Sequence, residues 1–351
     1  MIEDKDLRAA VQRGLITEAQ AAGLTAIADT RRQARVSVEP GEEPFVLFKG
    51  FNEIFIVVGL SILFAGWMGV AALLGAEYLP PYGADTLLIT LATMGGLYLI
   101  QRYFTLSRRM IAPSIALAIM FAMTAGHFGR ALADMIGLEG FAAQALHWAM
   151  IAVVMVGHYR VFRVPFDAAL IAGAIFAAIW SLLVGRGVLP DDALGLLHLS
   201  KEGPLGLLSF AFGLICFALA MRFDMSDPHR VSTRATTGFW LHVMAAPAIL
   251  NPIALRLLDR GGGGQLLLIV VLLARGMVAI VIDRRSFLVS GAGYAVALII
   301  TLFDGSALVI VLLGLGMVLL GAQWDRLRAR IMNALPAFAG KDRLPPYGQN
   351  A

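Results

Sequence analysis

The chain has 351 residues, 59% of them hydrophobic and only 15% charged, with a mean hydropathy of +0.77. A soluble domain carries about 45–50% apolar and about 25% charged residues, so this composition excludes an ordinary soluble domain and a disordered chain alike. The net charge of +4 does not point to nucleic acid, because the basic residues lie in short stretches beside long apolar runs, where membrane orientation puts them.

Residues 1–38 are expected to form a small cytoplasmic helical hairpin. Leu7 and Val11 stand one turn apart on its first helix, and Gly14 can end that helix in a left-handed cap. Thr17 followed by Gln20 is a capping-box pattern that opens the second helix. Ala21, Leu24, Ile27 and Ala28 share one face of it, and it ends in Arg31, Arg32 and Arg35. This second helix is alanine-rich and short of base-reading side chains, so no nucleic-acid partner is expected. So small a unit buries too little surface to stand alone and should pack on itself, a second copy, a partner protein or the membrane face. Nothing in it has the short apolar core and small-residue cleavage site of a cleavable signal peptide. Residues 39–50, with two prolines and three glutamates before residue 45, form a linker.

From residue 51 the chain becomes a train of apolar runs. The expected spans are 51–74, 84–104, 110–126, 141–159, 165–184, 204–221, 235–255, 264–282, 287–303 and 306–324. The fold class is therefore all-α: a polytopic integral membrane protein of about ten transmembrane helices in 51–324, with a cytoplasmic tail at 325–351. That tail opens with Arg326, Arg328 and Arg330 and closes in proline-rich polar sequence. Counting Lys and Arg with the N-terminus inside gives 22 on that side and five on the other, with Arg275 inside a span. By the positive-inside rule both termini should be cytoplasmic, and the span count even.

The stretch Arg13–Leu24, RGLITEAQAAGL, followed by a linker and many spans, resembles a class of bacterial polytopic membrane proteins that begin with a cytoplasmic helical hairpin, a domain of unknown function. The resemblance rests on a glycine, a hydrophobic pair ending in Ile, a Ser or Thr and, three residues on, a Gln. It covers the hairpin and the layout. It implies a bacterial inner membrane and carries no catalytic residue.

Ionisable residues inside a membrane are the first candidates for function. Arg275 sits in the run GQLLLIVVLLARGMVAIVI, where a charge costs about 2.5–3.5 kcal/mol on insertion scales. It either snorkels toward its near end, or points into the bundle, where it could bind a small anionic or amphipathic solute. The spacing to Ile282, about 10 Å of rise, strains the first option. The expected partners are a carbonyl of a broken helix, Asn251, His242, Asp167 or Glu53. Pro247 and Pro252 flank Asn251 within one span, so that helix should kink or break there, a common device at solute sites. Arg275, Asn251 and His242 are the candidate substrate-binding residues, and Pro247 and Pro252 the helix break.

No catalytic residue, metal or cofactor is assigned. The single cysteine, Cys216, rules out an intramolecular disulfide and a cysteine zinc site. His147 and His158 are too far apart along one helix to share an ion, and no HExxH, phosphate loop or nucleophile elbow occurs. The row Gly314, Gly316, Gly321 is expected at a close helix contact. A shift of 121 residues lays Gln144 on Gln265, Arg163 on Arg284 and Phe166 on Phe287, and spans two to five on spans six to nine. Four spans is an even number, so the two halves would be parallel repeats. The function expected first is a permease or carrier. The alternative is a membrane scaffold or sensor whose hairpin recruits a partner.

Overall fold

A computed structural model describes residues 4–17, 20, 21, 24, 52–73, 84–189, 204–230, 232–258, 260–302 and 307–347. The described secondary structure is helical throughout. Helix α1 is Asp4–Gln12. Then follow α2 (Asn52–Leu73), α3 (Ala84–Gln101), α4 (Ile111–Met135), α5 (Gly140–Phe162) and α6 (Asp167–Gly185). The second part contains α7 (Pro204–Ser226), α8 (Thr233–Leu258), α9 (Gly262–Ile282), α10 (Ser286–Leu302), α11 (Ala307–Ala322) and α12 (Trp324–Ala334).

The helices α2 to α9 are long and apolar enough to cross a membrane. Where the ninth and tenth spans are expected lie α10 and α11, which at 17 and 16 residues reach only about 24–26 Å and are not among the helices of membrane-crossing length. Outward side chains fit hydrocarbon rather than water. Ile62, Leu88, Val153, Leu207 and Leu273, on five different helices, are each 66–70% exposed. A water-facing surface would not scatter large apolar groups over every helix in this way.

At the N-terminus the expected local signals are in place. Gly14 has φ of 68° and closes α1. Thr17 and Gln20 make the reciprocal capping box, with the Thr17 N–H donating to Gln20 Oε1 at 2.9 Å and the Gln20 N–H to Thr17 Oγ1 at 3.2 Å. Most of the second hairpin helix and the linker at 39–50 lie outside the described residues.

Two helices run further than their sequence patterns implied. α4 continues past Gly126 to Met135. Gly126 and Gly129 are notches for the neighbouring helix, not stops: a Cβ at Gly126 would lie 2.5 Å from His147 Cε1, and one at Gly129 would lie 2.7 Å from Met150 Cβ. α7 continues past Met221 to Ser226 and so carries Arg222 and Asp224 on helix. α3 passes into a π-helical turn, Arg102–Ser107. There Gln101 donates to Thr105, Thr105 meets Ser114, and Glu53 of α2 accepts the Ala112 N–H at the start of α4. The row Gly314, Gly316, Gly321 meets no neighbour within 4 Å. Among the described residues, then, the row is not at a helix contact.

The 121-residue offset recurs in the backbone. Left-handed backbone is uncommon outside glycine. Among the described residues four non-glycine positions adopt it, and these pair off: Arg109 with Arg230 (φ 50° and 53°), 121 apart, and Arg163 with Asp283 (51° and 57°), 120 apart. Gly140 and Gly261, also 121 apart, share a positive φ, 59° and 68°, although ψ of −157° takes Gly261 out of the left-handed helical region. These residues stand at the boundaries of α4, α5 and α6 in one half and α8, α9 and α10 in the other. Helices α3–α6 thus correspond in order to α7–α10. The halves meet along α6 and its neighbours. The Phe166 ring lies 4.7 Å from that of Trp240, the Phe176 ring 4.9 Å from that of Phe212, and Gly173 lies against Met244. The first half packs around Leu117, Phe121, Met155 and Phe162, and the second around Cys216, Ala245, Ile280 and Phe287.

Candidate functional site

Arg275 is buried on α9 and points into the bundle. Its Nη2 donates to the Ala246 carbonyl on α8 at 3.1 Å, and its guanidinium lies 5.1 Å from the centre of the Phe287 ring. The helix periodicity puts Gly291 of α10 directly opposite. A Cβ there would come 3.4 Å from Arg275 Nη1, so the glycine leaves room for the guanidinium. Beside it is a cavity of about 140 Å³ lined by Leu272, Phe287, Leu288, Gly291 and Met317 together with Arg275. Arg275 is the charged group of this otherwise apolar lining. The Ala246 carbonyl belongs to the proline-bearing helix α8; the expected partner is a carbonyl of a broken helix, and α8 is continuous here.

The prolines do not interrupt α8, which runs unbroken from Thr233 to Leu258. Pro252 has no N–H to give the Ala248 carbonyl, and Ser209 of α7 supplies the missing donor at 3.1 Å. Polar groups on neighbouring helices often satisfy proline-freed carbonyls in this way. The two carbonyls served by Ser209 and Arg275 are two residues apart, between or beside the prolines. Asn251 stands one turn further on and accepts from the Tyr294 hydroxyl at 2.8 Å.

His242 belongs to a different constellation. Its Nε2 meets Asp224 Oδ2 of α7 at 2.9 Å. Arg284, in the turn after α9, donates through Nε to the same oxygen at 2.9 Å and through Nη2 to Asp224 Oδ1 and the Ala235 carbonyl. Phe287 separates the two centres, with its ring 5.4 Å from that of His242 and its other neighbour Arg275. Of the three sequence candidates, then, Arg275 and Asn251 attach to the proline-bearing stretch of α8, while His242 is fully enclosed in an ion-pair knot.

That knot extends to the tail. Asp283, left-handed at the end of α9, pairs with Arg230 at 3.1 Å and accepts from the Trp324 indole N–H at 2.6 Å. Trp324 opens α12 and is 2% exposed, so it is a buried anchor rather than the interfacial end of a span. Arg328, one turn on, donates to the carbonyls of Ile280, Pro345 and Pro346. Burial draws the Arg230 guanidinium below its ordinary value, the like charge of Arg284 adds to this, and Asp283 and Asp224 oppose it. Burial likewise lowers Arg328. Both stay cationic at any physiological pH. Gly238 makes the knot possible, since a Cβ there would come 2.5 Å from Asp224 Oδ1. Sequence reasoning missed the Asp224–Arg284 pair because α7 was ended at Met221, which left Asp224 in a loop. The usable signal was Asp224 and His242 facing each other across a short loop.

A second buried pair joins α5 to α6, where His158 Nδ1 and Asp167 Oδ2 are 2.6 Å apart. Among the described residues no group of three or more His, Cys, Asp or Glu is placed to hold a metal ion. The chain matches no protein-family model, no curated protein and no solved structure among those compared with it. What stands is the class that the fold itself defines: an all-helical chain of apolar helices with the build of a multi-pass membrane protein.

Proposed function

We propose that the protein is a permease or carrier for a small anionic or amphipathic solute, with Arg275 as its anion-binding group. The observation that carries this is the placement of Arg275. It is a buried cation on a membrane-length helix, it borders a cavity, and it is held against a proline-bearing helix. An intramembrane charge is costly and is by default a candidate for a solute or ion path. The paired halves support the reading, since parallel repeats are a recurrent carrier architecture. In this reading the chain makes ten crossings of a bacterial inner membrane, with the arginine-rich ends and both termini in the cytoplasm. It belongs with the hairpin-headed bacterial membrane proteins it resembles.

The test is flux. Purified protein reconstituted in vesicles should take up some member of a panel of small radiolabelled carboxylates and amphipathic anions. Arg275→Leu should insert and fold, because removing the charge eases burial, yet lose that uptake. Full uptake by the variant would remove Arg275 from the solute path. A second reading, a scaffold or sensor that recruits a partner through its N-terminal segment, is supported by Leu15 and Leu24, which are 73% and 49% exposed. Uptake of no anion, together with partner capture that depends on Leu15 and Leu24, would favour it.

A further inference from the structure

A basic concavity lies at the end of the bundle where α5 ends and α7 passes into α8. It has a volume of about 690 Å³, within the range of about 300–1,000 Å³ typical of small-molecule sites. Four arginines line it: Arg160 and Arg163 from the first half, and Arg222 and Arg234 from the second. Among the described residues no carboxylate lines it. Of the acidic groups nearby in sequence, Asp167 meets His158, and Asp224 meets His242 and Arg284. On one side the lining is apolar. Phe223 and, one turn away on α7, Leu219 complete it, and Leu219 is 44% exposed on the outer surface of the bundle.

We propose that this cavity binds the phosphate of an amphipathic anion, the headgroup of an anionic phospholipid, with its acyl chain along Leu219 and Phe223. Guanidinium forks match phosphate oxygens two at a time, and four converging forks suit a phosphate better than a lone carboxylate. Basic pockets between membrane helices are a recurrent way to hold such headgroups. The bulk excess of arginine at this end explains charge near the surface. It does not explain why four arginines from both halves converge on one concavity flanked by an exposed apolar strip. Because the two halves contribute two arginines each, a bound phosphate bridges them and should stabilise their contact. This site is separate from Arg275 and holds whether or not the protein transports a solute.

The experiment uses the full chain in detergent, with three probes: micelles doped with phosphatidylglycerol, micelles doped with phosphatidylcholine, and inorganic phosphate. Retained lipid is read by native mass spectrometry. Stability is read by thiol labelling of Cys216, which is buried in the fold. Phosphatidylglycerol should be retained in preference to phosphatidylcholine and should raise the temperature at which Cys216 becomes reactive. Arg160→Gln/Arg222→Gln should weaken this by about tenfold or more, while Arg326→Gln/Arg330→Gln, the same charge change on α12, should not. Arg160→Lys/Arg222→Lys keeps the charge and should fall between the two, which shows that the loss is not misfolding. Stabilisation by inorganic phosphate alone would support the site with a free phosphate compound as its source. Equal retention of both lipids without a phosphate effect, or an equal loss in the α12 control, would overturn it.

Discussion

Arg284 holds both carboxylate oxygens of Asp224, sixty positions earlier in the chain, and so ties the turn after α9 to the end of α7. His242 takes the remaining approach to Oδ2. Breaking one side of such a buried pair strands the other charge, which costs about 3–5 kcal/mol, whereas replacing both with apolar groups is often close to neutral. Asp224→Leu and Arg284→Leu should each lower the temperature at which Cys216 becomes thiol-reactive, and the double variant should recover most of that loss. Additive losses in the double variant would mean that the two residues act separately.

The crossing of α7 and α8 is set by a missing side chain. A Cβ at Gly213 would lie 2.7 Å from Ile249 Cγ1 and 2.9 Å from the Ile249 backbone nitrogen, which cannot move aside. Overpacking of this kind costs about 1–3 kcal/mol. Gly213→Ala should destabilise by that amount in the same thiol assay, and Gly96→Ala, with nothing within 4 Å, should not. Equal behaviour of the two variants would deny the close crossing.

Arg328 staples the segment after α12 through the carbonyls of Pro345 and Pro346. Arg328→Ala should speed amide exchange in Lys341–Arg343 and its neighbours, leaving Cys216 as protected as before. Arg328→Lys should not rescue it, because an ammonium group lacks the fork that reaches several carbonyls at once. Unchanged exchange in the alanine variant would show that the segment is held by something else.

The orientation expected from the 22-to-five distribution of basic residues is open to reporter fusions. Fusions at Ser107 and Asp227 should report the cytoplasm, and those at Pro80 and Asp191 the opposite side. Two of the four in the wrong compartment would sink the ten-crossing arrangement.

Hydropathy alone located the helices, because an apolar run long enough to cross a bilayer has few alternative structures. Local chemistry did equally well at Gly14 and at Thr17–Gln20, where the signal lies within four residues. It failed where a residue has two uses. The expected span 110–126 ends too early, because Gly126 is a notch for His147 within a longer helix. Arg222 was read as a loop charge and lies on α7. Pro247 and Pro252 were read as a break, yet Ser209, contributed by another helix, leaves α8 continuous. Arg275 was legible as an inward charge because its cost admits few resolutions. Its separation from His242 was not legible, because Phe287, far along the chain, comes between them only once α10 is packed.

Among the described residues, left-handed turns recur at matching places in the two four-helix segments, so each segment is punctuated alike: Arg109 and Arg230 stand before the second helix, and Arg163 and Asp283 after the third. A shared punctuation with different side chains separates the path of the backbone from its chemistry. At the last of these turns Arg163 lines the cationic cleft and Asp283 joins the ionic knot, so one kind of backbone stop serves an open site in one segment and a closed one in the other.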